Sequence, residues 1–457
     1  MARPQRSATK KPRPQHVRKL APQVPGTLPV KTPVSGTPSL AQPFRFPPAW
    51  SWLVDEVIPT YVKKTFSPRD SWKDKPFTSD DGRFFFHSIE ELSELFTEDR
   101  PSASRGLPDY FAHEKNRSAY LLYFLPLQAA KFLGLFQAHT PAVQAALEHG
   151  RKTGVMKVID LGSGPATASI ALCMKLLTLP SSELPPKIEF ECYDTSGKIL
   201  DDARALLDQF VLQFPVFRDR VTVRTRRATW WEYATPPKPG AKKPLIAQES
   251  PTPPSLIILG NVLNETGSTQ QQSARFAELL SIAAGAGVLV VEPASRKPSQ
   301  MISQLRDEMI EMGLVEKKSE AIWGPCLHAG NCPLADGRDW CHFSIPAEIP
   351  GKWFKKFSEG LGSERNWLKL SYLWLASKEM PALRPRPDVR RVISDPIRRL
   401  DGGGSPGFVL LCEPDHSGKH IMGRDSKILR GDVILQTPEE TPRSARPPRP
   451  ARHSDRE

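Results

Sequence analysis

Between residues 155 and 291 the sequence alternates short apolar runs with amphipathic stretches, and this limits the chain to very few folds. The runs at 155–161, 188–193, 221–225, 255–259 and 287–291 have strand length, and the first, fourth and fifth are rich in Val, Ile and Leu. The stretches at 166–177, 197–210 and 270–284 carry apolar residues at helical spacing. Strands apolar on both faces and separated by helices pair into a parallel sheet covered on both sides. The fold class is therefore α/β. A Pro-rich stretch at 235–254 reads as a surface insertion before the fourth strand.

The flanks differ in character. Residues 49–150 are helical in pattern, with Ile89, Leu92, Leu95 and Phe96 at 3.6-residue spacing. The apolar stretch 119–136 contains Pro126, Gln128 and Lys131, and a spanning helix needs ~20 mostly apolar residues. It reads as a core helix bent at Pro126, and no membrane is expected. Residues 1–48 contain no acid and are rich in Lys, Arg, Pro, Ser and Thr, so they read as a disordered basic arm. A transit peptide is the alternative, but prolines at 4, 12, 14, 22 and 25 would break its amphipathic helix. A second basic tail spans 436–457. The net charge of +13 points to an anionic partner, nucleic acid above all, with no DNA specificity expected; the alternative is charge carried by solvated tails, where part of it sits. The basic-aromatic stretch at 352–357 is a candidate contact.

The first strand runs through Asp160 into Gly162-Ser163-Gly164-Pro165-Ala166. Glycines there let backbone approach a ligand closely at the point where strand order reverses. The third glycine of a nicotinamide fingerprint and the Gly-Lys-Ser/Thr of a phosphate loop are both missing. The turn resembles the D-x-G-x-G-P loop of class I S-adenosylmethionine (SAM) methyltransferases. Asp194 ends the second strand, where an acid can accept bonds from ribose hydroxyls. Asn261 ends the fourth strand, where it can touch SAM or substrate. The cofactor residues are thus Asp160, Gly162, Gly164, Asp194 and Asn261. No catalytic residue is readable: the Asn/Asp-Pro-Pro-aromatic turn of many amine methyltransferases is absent, Glu265 is a possible base, and Asn264 suits a helix cap.

Of six cysteines, Cys173 and Cys192 fall on predicted core elements and read as small buried apolar residues. Cys326, Cys332, Cys341 and Cys412 lie among turn and polar residues, with five residues between the first two and eight between the next. Four thiolates suit zinc or an iron–sulfur cluster. Zinc knuckles usually have ~2–4 intervening residues; these wider loops suit a larger cluster. Cys332-Pro333 resembles the Cys-Pro ending of ferredoxin-type runs. His328 and His342 are alternative ligands, although such histidines more often support a ligand than replace one. Without a secretory signal a disulfide is not expected.

Over residues 120–432 the chain resembles the methyltransferase-like proteins of the mitochondrial small ribosomal subunit, a family also found in bacteria. The resemblance rests on Asp160-x-Gly162-x-Gly164-Pro165, Val262-Leu263-Asn264-Glu265, Glu292-Pro293, Pro325-Cys326-x-His328-x-x-x-Cys332-Pro333-Leu334 and Asp339-Trp340-Cys341-His342-Phe343, continued by Tyr372-Leu373, Arg391-Val392 and Cys412. It implies a class I methyltransferase fold with a C-terminal cluster region, and a [4Fe–4S] cluster on Cys326, Cys332, Cys341 and Cys412. It further implies action on the small ribosomal subunit and its rRNA, in assembly or translation. Location would be the mitochondrial matrix in a eukaryote and the cytoplasm in a bacterium. Ala166 replaces the loop's third Gly, Leu327 a common Pro, and Arg430-Gly431-Asp432 a Trp-Gly-Asp ending. The expected units are an arm (1–48), a helical lead-in (49–150), a methyltransferase domain (151–322), a cluster and β region (323–435) and a tail (436–457). An rRNA methyltransferase leads. A non-catalytic assembly factor and a zinc-stabilised small-molecule methyltransferase are the alternatives.

Overall fold

The computed structural model describes residues 39–97, 110–234, 246–248, 252–263, 269–283, 285–316, 321–335, 337, 339–363, 366–377, 380, 388–397, 407–414, 416–421 and 428–435. The tail at 436–457, most of the arm and most of the 235–254 insertion lie outside them.

The sheet core follows the alternation. Strands β1 (Val155–Leu161), β2 (Lys187–Asp194), β3 (Val221–Arg227), β4 (Leu256–Gly260) and β5 (Gly287–Glu292) pair in parallel. Their order is β3-β2-β1-β4-β5, so the chain steps outward from β1 in one direction and then in the other. The crevice outside the carboxyl ends of β1 and β4 is the switch point of such a sheet. Burial on both faces follows from a side-chain period of two. Met156 and Val158 enter one core with Leu256 and Ile258, whereas Ile159 and Leu161 enter the other with Ile257 and Leu259.

The sheet is larger than the sequence reading. β6 (Ile322–Gly324) and β7 (Phe343–Pro346) both pair with β8 (Trp367–Ala376), which runs antiparallel against β5 and extends the same sheet. Two further strands join the expected pair: β9 (Val389–Val392), β10 (Phe408–Glu413), β11 (His416–Ile421) and β12 (Val433–Leu435) form a second sheet, ordered β11-β10-β9-β12.

The helical lead-in shares its core with the sheet. The helix Leu125–Ala138 places Phe132 and Phe136 in the same cluster as Val158 and Trp374. A π-helical segment, Tyr120–Phe124, precedes it, just before Pro126. Proline lacks an N–H and its ring crowds the carbonyl four residues back, which a widened turn relieves. The continuous helical run Glu114–Ala138 is 83% buried across its most apolar window, as a core helix is. Arg117 donates to Asp202 through Nε (2.8 Å) and Nη2 (2.9 Å), and Tyr61 donates to the same carboxylate at 2.7 Å. This buried triad fastens the lead-in helices to the helix Gly197–Gln213.

The expected arm boundary at residue 48 falls inside packed chain. Leu40 and Ala41 are buried, Leu40 N–H donates to Gly431 O (3.4 Å), and Phe44 and Phe46 pack on the main core. The charge and proline content averaged over the whole segment hid these few apolar side chains.

Candidate cofactor crevice and cysteine centre

The turn after β1 is fixed by contacts that only glycine allows. Gly162 has φ +69°, and a Cβ there would lie 1.9 Å from Val262 Cγ1. The Gly162 and Ser163 N–H groups both donate to Tyr193 O, at 2.8 and 2.9 Å. Gly164 has φ +54°, and a Cβ there would meet nothing within 4 Å, so the turn opens outward at this residue. Gly164 N–H donates to Asp194 Oδ2 (3.0 Å) and Ser196 N–H to Asp194 Oδ1 (2.9 Å). The half-buried Asp194 carboxylate is thereby held at the lip of the turn.

Asn261 leaves β4 in the left-handed region, φ 59°, with its N–H donating to Val291 O at 2.8 Å. Val262 then packs on Gly162, and Leu263 N–H donates to the buried Glu292 carboxylate at 2.8 Å. Glu292 therefore sets the path of the chain leaving β4. The sequence reading gave it no such role, and its place at the end of an apolar strand was the available signal. Asn264 and Glu265 lie outside the described residues.

Gly162, Gly164, Asp194 and Asn261 thus meet along one carboxyl edge of the sheet. Asp160 lies beneath it. Its Oδ2 accepts the Ser169 N–H (3.2 Å) and hydroxyl (2.7 Å), and burial pushes its carboxyl up to about 6 against the pull of those bonds. It braces the turn from inside the protein.

The four late cysteines come together from two parts of the chain. Cys326 follows β6 and belongs to the sheet core beside Leu373, whereas Cys332, Cys341 and Cys412 share a small cluster with Leu334 and Ile393. Burial and the Cys326 charge push the Cys332 thiol up to about 11. Burial and the charges of Cys332, Cys326 and Cys412 push Cys341 well above the usual thiol range. Cys412 rises similarly, opposed by Arg306 and Arg391. Thiols that oppose one another's ionisation are stabilised as thiolates by a bound cation, so the donor set fits a thiophilic metal group. Among the described residues, no three His, Cys, Asp or Glu side chains are arranged to hold one metal ion. His328 Nε2 lies 3.1 Å from Cys412 Sγ, and His342 Nδ1 lies 3.1 Å from Trp340 O. Cys173 and Cys192 are buried in the main core, and all six cysteines are free.

The basic-aromatic stretch is an amphipathic helix, Lys352–Gly360, started by Asp55, whose Oδ1 accepts the Lys352 N–H at 2.7 Å. Trp353, Phe354 and Phe357 are buried, and Lys352, Lys355 and Lys356 are not. The aromatics serve the core, and only the lysines face outward.

A family model described as mitochondrial small ribosomal subunit Rsm22 matches residues 234–422, less than half of the chain but including all four late cysteines and Asn261. No curated protein matches. Solved structures similar to this chain include a precorrin-6y C5,15-methyltransferase from Geobacter metallireducens (13% identity, 51% of this chain and 88% of that one, TM-score 0.25). Others are the delta-N METTL16 MTase domain (11%, 49% and 72%, TM-score 0.26) and StiE O-MT residues 942–1257 (12%, 33% and 44%, TM-score 0.22). The chain spans half or less of the length of the first three solved structures it matches. The α/β architecture with its parallel sheet is consistent with the class I SAM methyltransferase fold.

Proposed function

We propose that this protein binds SAM at the β1–β4 crevice, carries a [4Fe–4S] cluster on Cys326, Cys332, Cys341 and Cys412, and acts on the small ribosomal subunit. The observation that carries the SAM reading is the Asp194–Gly164 bond at the point where strand order reverses. A carboxylate has about four acceptor directions, enough to receive ribose hydroxyls beside its backbone bonds. The open side of Gly164 leaves room for a ligand against backbone. The cluster would supply a rigid link between the sheet core, through Cys326, and the second sheet, through Cys412. The ribosomal partner is supported by the family match at 234–422 and by the net charge of +13. The proposed location is the mitochondrial matrix in a eukaryote and the cytoplasm in a bacterium.

An rRNA base is the proposed methyl acceptor. The alternative, an assembly factor that keeps the fold without catalysis, is favoured by Asn261-Val262-Leu263-Asn264 standing where an amine-orienting Pro-Pro turn would be. The test uses full-length protein purified without oxygen. SAM binding by calorimetry and transfer of labelled methyl to rRNA of immature small subunits support the enzyme. SAM binding with salt-sensitive subunit association but no transfer supports the assembly factor. Absence of SAM binding to protein holding iron and sulfide overturns the cofactor assignment. Colourless protein with one zinc per chain overturns the cluster.

A further inference from the structure

We infer that Asp160 is the charge by which the β1–β4 crevice distinguishes SAM from S-adenosylhomocysteine, and that protonating it weakens SAM binding. The inference rests on the SAM reading above and assigns Asp160 a part in it beyond bracing the turn.

Asp160 is 2% exposed, and Leu161 alone separates it from Gly162. Its Oδ2 holds Ser169, in the first turn of the helix Thr167–Leu176, through the N–H at 3.2 Å and the hydroxyl at 2.7 Å. Gly164, between them in sequence, is held by Asp194 at 3.0 Å. The turn that would cradle the ligand is thus tied to two carboxylates. The groups facing Asp160 are neutral or acidic. In the strand register Cys192 stands across from it on β2 and Ile258 on β4. Burial and the Asp160 charge hold the Cys192 thiol well above the usual range, and burial does the same to Cys173 on the helix. Both thiols therefore stay protonated. Asp194, from the end of β2, opposes the ionisation of Asp160. Among the described residues no cation pairs with Asp160.

A buried carboxylate without a cation is costly, and positive charge brought near it lowers that cost. SAM brings a permanent positive sulfonium. S-adenosylhomocysteine carries an uncharged thioether in its place and is otherwise alike. Inside a protein the attraction is only weakly screened by water or salt. Ionised Asp160 therefore favours the first ligand over the second. By linkage SAM favours the ionised acid, and binding to the protonated form releases that proton to solvent. Burial pushes the Asp160 carboxyl up to about 6, which sets where the coupling acts. SAM affinity is full above that value and declines as pH falls through it.

The test is isothermal calorimetry of SAM and of S-adenosylhomocysteine on full-length, anaerobically purified protein, with each pH run in two buffers of different ionisation enthalpy. Wild-type SAM affinity should fall by up to about tenfold per pH unit below about pH 6, with up to about half a proton released near pH 6 and almost none near pH 8. S-adenosylhomocysteine should show a weaker dependence and a smaller release. Asp160→Asn keeps an acceptor for Ser169 and should lose the dependence, with its preference for SAM lowered roughly tenfold near pH 8. Ser169→Ala removes a bond to the ionised acid, so it should move the midpoint to higher pH, and it carries the test if Asp160→Asn fails to fold. A flat wild-type SAM profile, equal dependence for the two ligands, dependence that persists in Asp160→Asn, or an unmoved midpoint in Ser169→Ala overturns the inference. Absence of SAM binding at every pH overturns the cofactor reading, and this inference with it.

Discussion

Asp194 ends β2 and Gly164 belongs to the turn after β1, yet the Gly164 N–H points at the Asp194 carboxylate from 3.0 Å. Two adjacent parallel strands are thus joined at their carboxyl ends by one side chain. The acid braces the turn through its two backbone bonds, and in the proposed function it also accepts the ribose hydroxyls.

Replacing Asp194 with Ala should weaken SAM binding by roughly 1–3 kcal/mol, because hydroxyls desolvated on binding lose their acceptor. Isothermal calorimetry checks this. An unchanged affinity would remove Asp194 from the ribose site while leaving its role in the turn, which thermal unfolding reads separately.

The Arg117–Asp202 pair should be costly to break from either side. Asp202→Ala leaves a buried guanidinium without its carboxylate, and losses of about 3–5 kcal/mol are typical of such changes. Replacing both residues with apolar side chains should cost less than either single change. Denaturant unfolding of the two singles and the double measures the coupling.

Two buried groups make opposite contributions to pH dependence. His139 is pushed down to about 3, mainly by burial and also by the Arg391 charge, with its Nε2 2.8 Å from the Tyr372 hydroxyl. Unfolding lets it take up a proton, so its contribution is intact above the usual histidine value and is lost as pH falls toward 3. Asp160, pushed up to about 6, binds a proton more readily when folded, so its burial costs stability as pH rises from about 4 to 6. Asp160→Asn should therefore gain stability over wild type across that range, by at most about 1.4 kcal/mol per pH unit. His139→Gln should gain over wild type as pH falls below about 6.5. Chemical unfolding at stepped pH values gives both slopes, and a reversed sign for either would refute its assignment.

Ala166 is fully buried and sits at φ 60°, where the turn passes into the helix Thr167–Leu176. A β-carbon in this region costs roughly 1–2 kcal/mol, and glycine gives back part of the gain through unfolded-state entropy. Ala166→Gly should raise stability by about 1 kcal/mol, seen as a higher denaturation midpoint at constant slope. A loss would mean that the Ala166 methyl contributes more through packing than its backbone strain costs.

The legible parts of this molecule are those written in local pattern. Five parallel strands showed in short apolar or alternating runs between helical stretches, and the turn showed in Gly162 and Gly164. The four late cysteines stood out because they lie among turn residues. β8 was missed although Leu368, Leu370, Tyr372 and Trp374 alternate with Lys369 and Ser371, because nothing local says that a strand this far along returns to pair with β5. In the helix Lys352–Gly360, read from the sequence as a candidate contact, aromatics and lysines are interspersed, and only the packed partner decides which group faces inward. The burial of Arg391 and His139 is wholly non-local. Each is an ordinary polar residue until distant segments close over it.

The pairing of β6 and β7 with the one strand β8 has a consequence for assembly. The stretch between Gly324 and Phe343, which carries Cys326, Cys332 and Cys341, leaves β8 and returns to it. Closing a free loop of this length costs roughly 2.5 kcal/mol or more in chain entropy. Sheet pairing meets that cost without a metal. Three thiols then wait within a short tether of one another, at high effective concentration. In the proposed cluster only Cys412 would be delivered from elsewhere, so the docking of the second sheet would be the event that completes it.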